Sequence, residues 1–314
     1  MQETVFAANS ARRVMSEFAP YWSAAVPGAV LSPSYDGDSR MHAWNDRPVS
    51  KVATPGRPRI AVCQLPDNLS LEHPAWRELV LRIEQERPDL VVLNEMPFGP
   101  WLAGRATFDA DAASASVAEH ERALAALQEL PTAVVSSRPI PGRTKLINEA
   151  FLVAGGQYRR LHDKQYFPQE PGFFETTWFA PRRLGFDVIE CCGIRIGVLL
   201  CTELMFTEWA RHYRREGAHV IVAPRASGPD MRHWVAAARM AAIVSGCYVL
   251  SSNRFSDAPA PGPQFGGRGF VYTPTGDLLG ATTVAMPCLS VDLDLALVAD
   301  VQRRFPCNVR EVPA

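Results

Sequence analysis

A chain of 314 residues, 47% hydrophobic and 21% charged with a net charge of −1, is long enough and apolar enough to bury a large core, which excludes a globally disordered protein. Lysine, arginine, aspartate and glutamate are interspersed, so no basic face for nucleic acid or anionic membrane is expected, and a small molecule is the expected partner. Seven cysteines without CxxC spacing, and no apolar stretch of membrane-spanning length, point to a reducing, cytoplasmic setting without structural zinc.

Residues 1 to 57 show no sustained pattern and close on the Pro, Gly and Arg cluster ATPGRPR. They are read as an extension with one short helix over Ser10 to Phe18, ahead of a main domain spanning 58 to 314. The texture changes at Arg59. IAVCQL reads as a buried strand, and Trp76, Leu79, Val80 and Ile83 give helical spacing over 73 to 86 until Pro88 stops it. DLVVLNE (89 to 95) is a strand ending in an acid, followed by a loop that Pro97 and Pro100 enforce. A helix is expected over Ser114 to Leu130, a strand over 133 to 137, and a hairpin from 148 to 154 and 158 to 164 about Gly155 and Gly156.

The stretch from 165 to 183 is a long loop rich in proline and aromatic residues, of the kind that builds sites. GFDVIECCG and IRIGVLLC are the next strands, with Cys191 and Cys192 read as two core-strand cysteines. The segment after Cys201, helical over 208 to 216 until Gly217 caps it, carries Phe206, Trp209 and Tyr213, aromatic surface that suggests pairing with a second copy. HVIVAPRAS (219 to 227), a helix over 231 to 246, and strands at 248 to 253, 269 to 273 and 288 to 294 complete the expected elements. The mixture of strand–helix units and hairpins implies α/β layers over two sheets.

Several familiar sites are missing: there is no P-loop, no HExxH and no Gly-rich turn leading into a helix, so neither a metal nor a nucleotide cofactor is expected. What stands out is three ionisable residues, each ending a strand: Glu95 after LVVLN, Lys164 after YRRLHD and Cys201 after IGVLL. A thiol that cleaves amides needs a base, a cation or dipole for the oxyanion, and a proton donor for the leaving amine. A glutamate, a lysine and the N–H groups of a strand-to-helix turn can supply these. Each also has a plain structural reading, as a buried cysteine or a solvated strand-end charge.

The segments LNEMPF around Glu95, K-x-x-x-P-x-x-P-G-x-x-E from Lys164 to Glu175, and RIGVLLC around Cys201 resemble the nitrilase, or carbon–nitrogen hydrolase, superfamily, from about Arg59 to Asp294. The resemblance implies an αββα sandwich of two sheets flanked by helices, pairing into a homodimer, and a Glu95, Lys164, Cys201 triad that works without a cofactor. It implies that the Thr202 backbone N–H joins Lys164 at the oxyanion. It also implies a second glutamate that orients lysine and substrate, placed at Glu175 with Glu170 as runner-up. The loop PGFFETTWFAP followed by LGFDV resembles the N-carbamoyl amidohydrolase branch, especially carbamoylputrescine amidases. The expected activity is hydrolysis of a small non-peptide amide or N-carbamoyl compound through an acyl-thioester. The alternatives are a nitrilase proper and a catalytically silent binding or assembly member of the fold.

Thr202 and Glu203 stand where many relatives carry an aromatic residue and Asp, a departure expected to alter the pocket wall only. Arg225 has two open readings: a bidentate clamp for a substrate carboxylate, or a structural partner of an acid such as Glu203.

Overall fold

The computed structural model describes residues 56–182, 185–257 and 262–310, so the expected helix at Ser10 to Phe18 lies outside the described residues. In chain order the elements are β1 (Arg59–Pro66), α1 (Pro74–Glu86), β2 (Leu90–Val92), α2 (Ala110–Gln128), β3 (Ala133–Pro141), β4 (Leu146–Ala154), β5 (Gln157–Asp163), β6 (Gln169–Glu170), β7 (Phe173–Phe174) and α3 (Glu175–Trp178). They continue with β8 (Ile189–Cys191), β9 (Ile194–Val198), a 3₁₀ turn (Cys201–Met205), α4 (Thr207–Arg215), β10 (Val220–Val222), α5 (Arg232–Ser245), β11 (Tyr248–Ser251), β12 (Asn253–Phe255), β13 (Phe270–Tyr272), β14 (Leu278–Ala281), β15 (Cys288–Asp292) and α6 (Leu295–Gln302).

Two sheets result. The first runs β12-β1-β2-β3-β4-β5, with β15 also on β1; the second runs β14-β13-β11-β10-β9-β8. Alternation along the strands explains why they stack. Ile60, Val62, Val92 and Val135 face Ile196, Val198, Val222 and Leu250 across the gap between the sheets. The intervening Ala61, Cys63, Val91 and Val134 face outward to Leu79, Ile83 and Leu127 of α1 and α2. On the other side Leu199, Ile221 and Val249 meet Ala210, Tyr213, Ala238 and Ala242 of α4 and α5. Strands apolar on both faces need cover on both faces, so the layers are helix, sheet, sheet, helix.

Local signals set the helix ends. His73 Nδ1 accepts from Ala75 N, with Pro74 opening α1. Asp109 caps α2 through Ala112 N at 3.0 Å, which starts that helix four residues before Ser114. The aromatic residues expected to pair two copies also make contacts within the protomer. Trp209 stacks on Phe186 with ring centroids 3.7 Å apart, Phe206 stacks on Tyr166, and Tyr213 is fully buried with its hydroxyl donating to Val198 O at 2.6 Å. Tyr213 lies so close to β9 that a side chain at Gly197 would meet its ring at 2.6 Å. Of the two adjacent cysteines, Cys191 ends β8 as expected, whereas Cys192 lies in the turn to β9 at φ 54°; both are half-buried against the core.

One crossing fixes where the strand ends converge. The chain leaves the second sheet after β11 and joins the first as β12, parallel to β1. At the crossing the Ser252 hydroxyl accepts from Cys63 N at 2.8 Å and donates to Val92 O at 2.5 Å. Since β1, β2 and β3 run parallel to one another, as do β9, β10 and β11, both sheets send their C-terminal ends to the same end of the sandwich. Two antiparallel steps through β4 bring the end of β5 there as well. That is where backbone groups leave the ladder and side chains can converge.

Candidate active site

Glu95, Lys164, Glu175 and Cys201 arrive at that end from four separate segments, and all are buried. Lys164, the residue after β5, donates from Nζ to Glu95 Oε1 at 2.8 Å and to Glu175 Oε2 at 2.7 Å. Glu175 opens α3, where the 165 to 183 loop folds back. Its N–H is held by Pro168 O, and Trp178 beside it is fully buried. The runner-up, Glu170, is exposed on the two-residue ladder of β6 and β7. A buried ammonium needs carboxylate partners to remain charged. Burial opposes the charge on Lys164, but Glu175 and Glu95 outweigh it and raise its pKa.

Glu95 is held from three directions. Asn148 Nδ2 on β4 donates to Oε1 at 2.8 Å, and the Glu95 N–H donates to Arg225 O at 3.2 Å. Arg254, buried between Trp101 and Phe265, donates to the Glu95, Met96 and Gly99 carbonyls and pairs with Asp67. With Oε1 occupied twice, Oε2 of Glu95 has no partner; neither has Oε1 of Glu175. Buried carboxylate oxygens without partners are costly, and at this place they are free to handle protons or a ligand.

Cys201 starts the 3₁₀ turn at φ 50°, a left-handed conformation unusual for a residue with a side chain. Its N–H donates to Pro224 O at 3.0 Å, and its Sγ is 3.9 Å from Ala226 O. Burial first, and then the charge of Glu95, push its thiol pKa up; Lys164 pulls the other way. Burial also lifts Glu175, to about 8, with Lys164 drawing it down and Glu95 pushing it up. Thr202 follows in the first turn, where backbone N–H groups have no partner within the helix.

Glu203 is not a wall residue. Fully buried, it accepts from Leu200 N at 2.8 Å and Gln165 N at 2.6 Å, while His162 Nε2 lies 2.9 Å away. One carboxylate thus joins the residue before Cys201 to the residue after Lys164.

Arg225 sits behind the site. Fully buried, it donates to Ser251 Oγ at 2.7 Å, Ser227 Oγ at 2.9 Å and Arg268 O at 3.0 Å, with Trp234 and Phe270 on its guanidinium. Burial lowers its pKa to about 10. It makes no contact with Glu203, whose partners are His162 and backbone, so the suggested Arg225–Glu203 pair does not form.

A cavity of about 270 Å³ opens above Cys201. Cys201, Glu175, Ala226 and Ser227 form its buried floor; Phe173, Thr202 and Trp234 line its sides; Glu170, Met205 and His233 are at its exposed mouth. No group of three or more metal-ligating side chains occurs among the described residues. None of their helices is long and apolar enough to cross a membrane.

Asn148, Glu203 and His162 are site residues that sequence reasoning missed. The signal for Asn148 was available, since a polar pair, Asn148 and Glu149, heads an otherwise apolar strand.

Residues 59–303 match the family described as Carbon-nitrogen hydrolase. An N-carbamoylputrescine amidase from Solanum tuberosum is 29% identical over 146 residues, 42% of this chain and 49% of that protein. An omega-amidase from Xenopus tropicalis is 26% identical over 143 residues, 44% and 50% of the two chains. This chain thus spans about half the length of these curated relatives. Among solved structures, a carbon–nitrogen hydrolase from Helicobacter pylori G27 superposes with a TM-score of 0.70 at 22% identity, over 80% of this chain and 94% of that one, a likeness of fold. With the match covering most of its length, the chain belongs to the carbon–nitrogen hydrolase, or nitrilase, superfamily.

Proposed function

We propose that this protein is a cysteine-dependent hydrolase that cleaves the C–N bond of a small non-peptide amide or N-carbamoyl compound and releases ammonia or an amine. The observation that carries the reading is the bifurcated contact of Lys164 Nζ to Glu95 and Glu175, all buried beside Cys201. An ammonium has three hydrogens. Two are engaged by the carboxylates, which leaves one for an oxyanion formed at Cys201.

The steps follow from which atoms are free. Glu95 Oε2 takes the Cys201 proton, and the thiolate attacks the substrate carbonyl carbon. The tetrahedral oxyanion receives the third Lys164 hydrogen and the Thr202 N–H. Collapse breaks the C–N bond, with the proton on Glu95 passing to the leaving nitrogen and the acyl group remaining as a thioester on Cys201. Glu95 then accepts a proton from water as its oxygen attacks the thioester. The acid departs and the thiol regains the proton. Glu175 keeps Lys164 charged and offers Oε1 to the substrate. The chemistry calls for no cofactor.

The domain over 58 to 314, a cytoplasmic setting and assembly as a homodimer belong to the same proposal. Tyr213 is buried within the protomer, while Trp209 and Phe206 stack there and stay half-buried. The experiment that tests the activity is ammonia release across amides, N-carbamoyl amines, N-carbamoyl amino acids and nitriles. Turnover of the first two classes, lost in Cys201→Ala, supports the proposal, and turnover of nitriles alone contradicts it.

A further inference from the structure

Cys63 and Cys288 stand directly opposite each other on β1 and β15, the first and last strands of the described chain. The pairing is of the kind that brings side chains close. Gln64 N donates to Pro287 O at the next rung, whereas Cys63 N turns away from β15 to Ser252 Oγ, so the two cysteines form a non-hydrogen-bonded pair. In such a pair the Cα atoms lie about 4.5 Å apart, inside the span of about 4.4–6.8 Å that a disulfide bridges. Both side chains are on the face of the sheet that α1 covers, and their sulfurs are 3.4 Å apart in an S–H···S contact between two free thiols.

Of the two, Cys288 is the one that reaches a cavity. This space, about 160 Å³, opens between α1 and the turn from β14 to β15, with Cys288 in its wall beside Leu79, Arg82, Val284 and Pro287, while Cys63 lies fully buried behind. It has room for several water-sized molecules and none for a peptide disulfide. The bond to Cys288 and burial push the Cys63 thiol up, so Cys63 keeps its hydrogen and donates it toward the Cys288 sulfur. Neither residue lines the cavity above Cys201. Cys191 and Cys192 have sulfurs 3.3 Å apart, but adjacent residues joined by a trans peptide have Cα atoms about 3.8 Å apart, short of the disulfide span.

We propose that Cys63 and Cys288 are a modification site, a thiol pair that hydrogen peroxide converts into a reversible cross-strand disulfide fastening the first strand to the last. The Cys288 sulfur attacks one peroxide oxygen and the O–O bond breaks. Sulfur is oxidised to the sulfenic acid, and the departing hydroxide takes the Cys288 proton as the first water. The Cys63 sulfur then attacks the Cys288 sulfur, the S–O bond breaks, and hydroxide leaves with the Cys63 proton as the second water. Two thiols and one peroxide thus become one disulfide and two waters, and a thiol reductant reverses the change by exchange.

The test treats the full chain carrying Cys201→Ala, which removes the Cys201 thiol from competition, with hydrogen peroxide and follows intact mass, unreduced peptide maps and thermal melting. The expected result is loss of two hydrogens and a linked pair of peptides holding Cys63 and Cys288. The melting midpoint should rise by ~5 °C or more, because the link joins positions 225 residues apart and constrains the unfolded chain. Dithiothreitol should reverse all three. With Cys63→Ala added, the sulfenic acid should persist on Cys288 and be captured there by dimedone, whereas Cys288→Ala should leave Cys63 unmodified. An unchanged mass, a link between Cys191 and Cys192 instead, a dimedone adduct on Cys63 in the Cys288→Ala protein, or a linked protein whose midpoint does not rise would overturn the inference.

Discussion

His162 and Glu203 meet at 2.9 Å with both side chains buried, one ending the strand that delivers Lys164, the other in the turn that delivers Cys201. His162 Nδ1 lies 2.9 Å from Gly185 O, an acceptor, so that nitrogen carries a hydrogen; a second hydrogen on Nε2 would serve the carboxylate. Burial works against the imidazolium, but the charge and hydrogen bond of Glu203 outweigh it and raise the His162 pKa.

The sign of the pH effect follows. A histidine whose pKa is higher folded than unfolded contributes stability that is fully present below the unfolded value of ~6.5 and is lost as pH rises through the folded value. The thermal stability gap between wild type and His162→Gln should therefore be widest at acidic pH, near pH 6, and shrink as pH rises. A gap that stays constant or widens contradicts a charged pair. Glu203→Gln should cost more, ~3–5 kcal/mol, because it breaks a buried pair and weakens two backbone anchors. Chemical denaturation measures it.

Glu175 provides a second titration. Burial lifts its pKa to about 8, Lys164 draws it down and Glu95 pushes it up. Only the ionised form partners the Lys164 ammonium, so the kcat/KM profile should fall as pH drops through about 8. Glu175→Gln should lose this limb and lower the acylation rate by ~10²-fold or more, since the amide leaves Lys164 with one carboxylate. An unchanged acidic limb in Glu175→Gln would assign it to another group.

How much of this was legible in the sequence depended on burial. Glu95 and Cys201 each end a run of apolar residues and Lys164 follows the strand YRRLHD, so their place at strand ends could be read; the pattern of strands and helices gave α/β layers over two sheets, and the family resemblance the αββα sandwich. The acid that would face Lys164 could be argued from the aromatic company of Glu175 against the polar company of Glu170. Glu203 could not be read, because a clamp made of one carboxylate and two distant backbone N–H groups leaves no periodic trace. What packs on the aromatics around α4 could not be read either. Helical spacing shows which residues share a face but not what covers it, and here Phe186 and Tyr166, from the preceding loops, do so. Strand β14 and helix α6 went unanticipated, the first with two exposed leucines, the second only two turns long.

Trp209→Ala supplies a test of that covering. It should lower protomer stability by ~1–3 kcal/mol, because Phe186 loses its stacking partner although the Trp209 ring is only half-buried. Light scattering should give at least a dimer of the 34.6 kDa chain for both wild type and variant. A variant of unaltered stability that dissociates to monomers would place Trp209 at a subunit interface.

Arg225 separates two roles in one substitution. Arg225→Lys removes the fork that reaches Ser251, Ser227 and the Arg268 carbonyl, so it should destabilise the fold by ~2–4 kcal/mol while the relative kcat/KM of carboxylate-bearing and neutral amides stays the same. A selective loss for the carboxylate-bearing amides would assign it to substrate binding.

The covalent role of Cys201 is tested most directly by intact-protein and peptide mass spectrometry of enzyme quenched in acid during turnover. The expected result is a mass increase equal to the acyl part of the substrate, located on the peptide containing Cys201 and absent in Cys201→Ala, which should also be inactive while remaining folded. Turnover by the Cys201→Ala protein, or an adduct on any of the other six cysteines in place of Cys201, would contradict it.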